Sequence, residues 1–166
     1  MIIVMSAVIA GSSRLVLVDS DAIPLMTSNT TPSGVASASS VFDVDQPFRA
    51  MDNNNETHWQ SASQGAPWWI QYEFPAAKII QQYTIRLWSG GVDYVPFDWE
   101  FQAWDGSVWV TLDTRVNVEW SSGGQRQVFT CSNEILYTRY RIFVTRNNGR
   151  SRLILAEIEM MEVVWQ

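Results

Sequence analysis

The sequence predicts an all-β protein: an antiparallel β-sandwich or jelly roll with an extra N-terminal hairpin or arm. The apolar runs are short and rich in Val, Ile and aromatic residues, and Ser, Asn, Gly, Asp and Pro interrupt them often. No long segment has helical periodicity, and no internal repeat is found. About eight strand-like segments without β-α-β units predict two packed antiparallel layers.

The chain is about one domain long, and its composition is that of a folded protein. Of its 166 residues 46% are hydrophobic and 17% are charged, so intrinsic disorder is excluded as the general state. We expect residues 1–22 to form an N-terminal strand or hairpin arm and residues 23–166 to form the sandwich.

Two apolar stretches open the chain, at residues 2–10 and 15–18, and the pattern between them is typical of a hairpin. No basic residue precedes the first stretch, and it is too short to span a bilayer. We therefore expect no membrane insertion and a structural role. An isolated hairpin is marginal in water, so the arm is expected to contact other protein chains, as a homo-oligomer or in a virion.

Strict alternation marks the first strands of the main domain. At residues 68–74 one face carries Trp68, Ile70, Tyr72 and Phe74, and residues 83–88 repeat the pattern. Residues 99–103 and 108–112 flank Asp105-Gly106, a hairpin signal. Further strands are predicted at residues 126–130, 137–145 and 153–164, and the second of these has Tyr140, Ile142 and Val144 facing inward.

Charge and cysteine content exclude several classes of function. A formal charge of −6 argues against a nucleic-acid partner. One cysteine, Cys131, and one histidine exclude an internal disulfide and a self-contained His/Cys metal cluster. Several arginines occur between Arg139 and Arg152; they either form a local basic patch or cover sheet edges and pair with carboxylates.

Four segments resemble the signatures of discoidin domains, also called coagulation factor V/VIII C-type domains, in the family's order. They are residues 50–59 (AMDNNNETHW), 67–74 (PWWIQYEF), 96–109 (PFDWEFQAWDGSVW), and 147–149 (NNG) followed by 156–159 (AEIE). The resemblance covers roughly residues 23–163. It implies a galactose-binding-like jelly roll whose relatives bind sugars, lipid head groups or proteins, and it does not imply catalysis.

Sugar-binding relatives often hold a structural calcium in the first loop, closed by a Glu of the last strand. Carried over by position, the ligands would be the carbonyl oxygens of Ala50 and Asn55 with Asp52, Thr57 and Glu157. Calcium accepts six to eight such oxygens. The alternative is an Asx-rich turn satisfied by its own backbone. The family commonly has Gly where this chain has Asn53, and Asn tolerates the left-handed backbone of a tight loop.

The loops of such a sandwich supply a candidate ligand face. A sugar needs an aromatic ring for its C–H surface and planar polar groups for its hydroxyls. The predicted ligand-binding residues are Trp88 and Tyr94 with Arg86, Asp93, Asn147 and Arg150. The alternative is that the aromatic residues pack in the sandwich end and the arginines form a solvated rim.

Three functions follow from these observations. The first is a non-catalytic carbohydrate or cell-surface binding module within a larger assembly, such as a phage tail, fibre or capsid surface, located at a virion or extracellular surface. The second is a purely structural assembly or decoration protein without sugar binding. The third is a small glycosidase using Asp98 and Glu100, which share one strand face; nothing else in the sequence supports catalysis.

Overall fold

The structure, a computed structural model, describes residues 13–166. They form β1 (Leu15–Asp21), β2 (Val35–Ala38), β3 (Trp59–Gln60), β4 (Trp68–Arg86), β5 (Pro96–Trp104), β6 (Trp109–Arg115), β7 (Arg126–Thr130), β8 (Tyr137–Asn147), β9 (Ile154–Leu155) and β10 (Glu157–Trp165), with one 3-10 turn at Pro47–Ala50. The all-β, antiparallel prediction is confirmed. Within residues 13–166 no helix has the length and apolarity needed to cross a membrane.

The long strand β4 belongs to both layers of the sandwich. Its first part, through Glu73, pairs with β2 and β8, and its second part, from Ile79, pairs with β10 and β7. The five-stranded layer therefore runs β2-β4-β8-β5-β6, and the four-stranded layer runs β1-β10-β4-β7. A separate short pair joins β3 to β9.

The predicted strands at 68–74 and 83–88 are the two halves of β4 rather than separate strands. The alternation breaks at the crossover between layers, where residues 75–77 are exposed. The pairing of β4 with β8 shifts between Glu73 and Lys78. Pro75 is tolerated in this gap because its missing N–H is not needed by a ladder.

Alternation correctly predicts which side chains enter the core. Trp68, Ile70, Tyr72 and Phe74 are buried, whereas the intervening side chains are partly exposed. The predicted inward positions after the crossover and on β8 are buried as well: Tyr83, Ile85, Leu87, Tyr140, Ile142 and Val144. Thr84 is also buried, so the alternation is incomplete in the second half of β4.

Aromatic contacts join the two layers. The Tyr83 ring of β4 stacks on Phe101 of β5, with centroids 4.3 Å apart and planes 15° apart. The indole nitrogen of Trp99 donates to the Tyr83 hydroxyl at 2.9 Å, and that hydroxyl donates to Asp113 Oδ2 at 2.7 Å. Burial of each such ring is worth about 1.5–3 kcal/mol, so these aromatic contacts hold the two layers together. Their buried polar atoms are hydrogen-bonded to one another.

The Asp105-Gly106 hairpin forms as predicted between β5 and β6. Asp105 Oδ1 accepts the backbone N–H groups of Ser107 and Val108, both at 2.8 Å. Gly106 has φ 105°, a backbone conformation that residues with a Cβ rarely adopt.

The N-terminal arm is described only in part. The apolar segment 2–10 lies outside the described residues, whereas Leu15–Asp21 forms β1 and pairs with β10. The boundary between arm and sandwich, and contacts of the arm with other chains, remain predictions.

The strand directions gather most connections at two ends. Five loops lie together at one end, which we call the loop end: residues 51–58, 61–67, 87–95, 116–125 and 148–153. The strand ends next to these loops are paired, since Trp68 pairs with Val144, Pro96 with Asn147 and Arg86 with Glu157. The opposite end, which we call the turn end, carries the β5–β6 turn, residues 131–136 and the crossover of β4.

Candidate functional site

Hydrogen bonds tie the loops of the loop end to one another. Asn148 Nδ2 donates to the Val92 carbonyl at 3.0 Å, and Ile154 N donates to the Tyr94 carbonyl at 3.0 Å. Loop 61–67 is joined to loop 148–153 by Gly65 N donating to the Ser151 carbonyl at 3.1 Å. Backbone bonds of this kind give the loop end a fixed geometry, which a recognition site needs.

Three predicted ligand residues meet on this surface. Arg150 Nη2 lies 3.0 Å from Asp93 Oδ2, and the guanidinium carbon of Arg150 lies 5.8 Å from the centroid of the Tyr94 ring. The Arg150 and Asp93 side chains are 50% and 56% exposed, so both can still bind a ligand from solvent. The group combines a planar cation, a carboxylate and an aromatic ring.

Trp88 lies on the same loop as Asp93 and Tyr94 and is half-buried. The His58 ring packs against it, with centroids 5.4 Å apart and planes tilted by 50°. The indole of Trp88 also packs closely against Gly90. A Cβ at position 90 would lie 2.1 Å from the ring, so only glycine leaves room for it. Trp88 is thus held in place by packing while keeping part of its surface open.

Asn147 and Arg86 are placed differently. Asn147 is buried; its Nδ2 donates to the Arg152 carbonyl at 2.5 Å and its Oδ1 accepts Arg150 N at 3.1 Å. It therefore shapes the loop that carries Arg150. Arg86 ends β4 between β7 and β10, opposite Arg126 and Glu157, and no hydrogen bond or ion pair among the described residues joins its side chain to the other predicted ligand residues.

Sequence reasoning missed two contacts near this surface. Asp45 Oδ2 lies 3.4 Å from His58 Nε2 and orients the ring that supports Trp88. The Arg152 guanidinium stacks over Phe42, 3.9 Å from the ring centroid. Asp45 and Phe42 lie in the irregular segment before β3, where no alternation or motif indicates a contact.

Three of the five predicted calcium ligands converge on the loop at 51–58. The Thr57 hydroxyl lies 2.9 and 2.8 Å from the two oxygens of Asp52. Asn54 N donates both to Asp52 Oδ1 at 3.0 Å and to Glu157 Oε1 at 2.9 Å. The carbonyl oxygens that contact the Thr57 hydroxyl belong to Arg49 and Asn54, each one residue before the predicted Ala50 and Asn55.

These groups fit a hard cation. Burial and the neighbouring Asp52 raise the pKa of Glu157 to about 9. The two carboxyl groups share one site, and no positive side chain of the described residues lies between them. The side chains of Asp52, Thr57 and Glu157 offer oxygen atoms, as calcium prefers, although the Asn54 N–H group already donates to both carboxyl groups. Among residues 13–166 no group of three or more His, Cys, Asp or Glu side chains forms a metal-binding cluster, so carbonyl and hydroxyl oxygens would have to complete the shell.

Asn53 has the backbone conformation that the loop requires. Its φ of 52° is in the left-handed region, where Asn is tolerated better than most residues. The predicted tight loop is therefore formed with Asn in the position where the resembling family commonly has Gly.

No protein-family model matches the chain. No curated protein sequence matches it either. Comparison with solved structures, in contrast, finds many similar domains.

The family 32 carbohydrate-binding module of Clostridium perfringens NanJ, in complex with galactose, has a TM-score of 0.68 and 20% identity over 78% of this chain and 93% of its own. CpGH89CBM32-5 from Clostridium perfringens, in complex with GalNAc-β-1,3-galactose, has a TM-score of 0.67 and 18% identity over 76% and 94%. Chitosan-binding module 2 of a chitosanase/glucanase from Paenibacillus sp. IK-5, in complex with chitotriose, has a TM-score of 0.64 and 19% identity over 76% and 95%.

TM-scores of 0.64 to 0.68 over 93 to 95% of these modules establish the architecture. The chain has the galactose-binding-like, or discoidin-like, β-sandwich fold of the family 32 carbohydrate-binding modules.

Proposed function

We propose that the chain is a non-catalytic carbohydrate-binding module that holds a glycan on its loop end. The observation that carries the proposal is the group of exposed Asp93 and Arg150 with partly exposed Tyr94, on interconnected loops of a fold whose structural neighbours are carbohydrate-binding modules. The ring offers an apolar face to sugar C–H groups, and the ion pair offers donors and acceptors to hydroxyls.

The site is built for modest affinity. Its polar groups are half exposed and already paired with each other, so a sugar exchanges hydrogen bonds instead of gaining new ones. We expect dissociation constants from about millimolar to micromolar, which correspond to about −4 to −8 kcal/mol.

Catalysis by Asp98 and Glu100 is disfavoured by their surroundings. The Arg146 guanidinium holds the pKa of Asp98 below its usual range, whereas a general acid needs a raised pKa. Glu100 accepts a hydrogen bond from the Thr111 hydroxyl at 2.7 Å. Asp98 therefore lacks the raised pKa of a general acid, and the Glu100 carboxylate is already engaged on its own sheet.

A glycan array followed by calorimetry of the full chain tests the proposal. We expect a galactose- or amino-sugar-type ligand whose binding is weakened by R150A and W88A. The control is K78A, which breaks an ion pair of 2.8 Å with Glu162 far from the loop end and leaves binding unchanged. Absence of glycan binding by the folded protein would contradict the proposal.

We further propose that calcium stabilises the loop at 51–58. Asp52, Thr57 and Glu157 would hold the ion, and its charge would offset the repulsion between the buried carboxyl group of Glu157 and the partly buried one of Asp52. Its role would be to fix the loop next to His58 and Trp88.

An assembly role is a second part of the proposal. The apolar composition of residues 2–10 is that of a segment that covers another surface. In a virion or another surface assembly it would contact neighbouring chains or a second copy. Removing residues 2–12, which spares β1, tests this: an unchanged mass by light scattering would contradict it.

A further inference from the structure

The outer face of the five-stranded layer is unusually rich in aromatic rings and arginines. All of these side chains are only partly exposed, and on β4, β5 and β8 they alternate with buried ones. They are Trp69 on β4, Arg139, Arg141 and Phe143 on β8, Trp104 on β5 and Trp109 on β6. A solvated sheet face usually carries small polar and charged residues instead.

Arg141 lies at the centre of this face. Its guanidinium carbon is 3.9 Å from the centroid of Trp109 and 4.7 Å from that of Phe143. Its Nε donates to Gln102 Oε1 at 2.6 Å. Within residues 13–166 its terminal nitrogens make no hydrogen bond, and they are not buried.

The neighbouring arginines of β8 differ from Arg141 because each forms an ion pair with a carboxylate. Arg139 pairs with Glu73 at 2.8 Å, and Arg146 pairs with Asp98. Among the described side chains no carboxylate lies within 4.0 Å of Arg141, although burial lowers the pKa of its guanidinium to about 10. Arg141 is thus partly desolvated, positioned by two rings, and paired with no carboxylate at contact distance, although the more distant Glu100 carboxylate acts to raise its pKa.

Two indole rings lie beside this cation. Trp104 and Trp109 have centroids 5.4 Å apart and planes tilted by 57°. Trp104 also lines a cavity of about 550 Å³ at the turn end, together with Asp105, Leu136 and Tyr137. The two indole rings therefore present faces that are not coplanar.

We infer that this face is a second glycan-binding surface, separate from the loop end, and that it takes oligosaccharides carrying uronic-acid carboxylates. The carboxylate binds the terminal nitrogens of Arg141, and the adjoining sugar rings contact the parts of Trp104 and Trp109 that the arginine leaves exposed. That the ligand is a sugar rests on the proposed function. The location of the surface and the negative charge of its ligand are inferred independently of that function.

Charge distinguishes this ligand from other anions. A guanidinium fork matches one carboxylate, whereas Arg139 and Arg146 are already neutralised by Glu73 and Asp98. With a formal charge of −6 the protein repels a dense polyanion such as a nucleic acid. A short oligosaccharide that places a carboxylate beside apolar sugar rings fits the guanidinium of Arg141 and its neighbouring indoles.

The experiment compares trigalacturonic acid with its fully methyl-esterified form by calorimetry on the full chain. The ester keeps the sugar rings and removes the negative charges. We expect the acid to bind more tightly than the ester, and R141Q to weaken binding of the acid about tenfold or more. R141K, which keeps the charge and loses the fork, should give an intermediate value.

R146Q is the matched control, because Arg146 lies on the same strand and contacts the Phe97 ring at 5.3 Å but already has Asp98 as partner. It should leave binding of the acid unchanged. Thermal unfolding of each variant shows that the fold is kept. Equal binding of acid and ester, no binding of the acid, or full affinity in R141Q would each overturn the inference.

Galactose binding separates this inference from the loop-end proposal. A protein that binds galactose but not trigalacturonic acid supports the loop end and refutes the second surface. A protein that binds the acid through Arg141 but no neutral sugar supports the second surface and refutes the loop end. R141Q is expected to bind galactose as the wild-type chain does.

Discussion

The hydroxyl of Tyr83 and the indole nitrogen of Trp99 are 2.9 Å apart and join the two layers of the sandwich by a buried hydrogen bond. Both side chains are almost completely buried. The Tyr83 hydroxyl also donates to Asp113 Oδ2 at 2.7 Å. One hydroxyl therefore satisfies a donor of the core and a carboxylate at the core's edge.

Replacing Tyr83 by Phe should destabilise the protein by about 1–3 kcal/mol, because the Trp99 N–H is left buried without an acceptor. F101A should cost more, about 3–5 kcal/mol, because it removes the ring that stacks on Tyr83. Urea unfolding measures both free energies. V116A, at a residue that is 62% exposed, is the control, and we expect it to change stability by no more than about 0.5 kcal/mol. Wild-type stability of Y83F would show that the bond does not contribute.

Calcium should raise the melting temperature of the full chain. At about one hundred times the dissociation constant the ion would add about 2.7 kcal/mol, a shift of several degrees for a domain of this size. D52N should abolish the shift, whereas E56Q, on the same loop but exposed, should retain it. Differential scanning fluorimetry with and without a chelator makes the measurement. No shift in the wild-type chain would favour the Asx-rich turn without metal.

The Cys131 thiol should react slowly in the folded protein. Burial raises its pKa to about 12, so the reactive thiolate is rare at pH 8. The folded state holds this proton more tightly than the unfolded state does, so the contribution of the thiol to stability is complete at neutral pH and declines as the pH rises from about 9 towards 12. Iodoacetamide labelling followed by mass spectrometry should be much faster in denaturant than in buffer. Equal rates would mean that the thiol is accessible.

Much of the fold is predictable from the sequence because alternation in strands such as 68–74 and 137–145 reports directly which side faces the core. The bend that lets the single strand β4 belong to two layers is not predictable from the sequence, because the exposed residues 75–77 carry no periodic signal. Pairing depends on partners distant in sequence, and local pattern does not specify it.

The candidate site is predictable to a smaller degree. The sequence predicts one ligand surface that includes Asp93, Tyr94 and Arg150, and these residues do lie together. Loops 87–95 and 148–153 bring them there. The chemistry of Asn147 is suitable, but its side chain is used to shape a loop, and residue type alone does not distinguish these roles. The platform of Arg141 and Trp109 depends on the register between β8, β5 and β6, which the sequence does not specify.

The most direct test of the loop-end proposal is a nuclear magnetic resonance titration of the ¹⁵N-labelled chain with galactose, following the indole N–H signals. We predict that the Trp88 signal shifts in proportion to binding, whereas those of the buried Trp68 and Trp99 stay in place. Binding of galactose without a change at Trp88, or with changes confined to Trp104 and Trp109, would contradict a glycan site at the loop end.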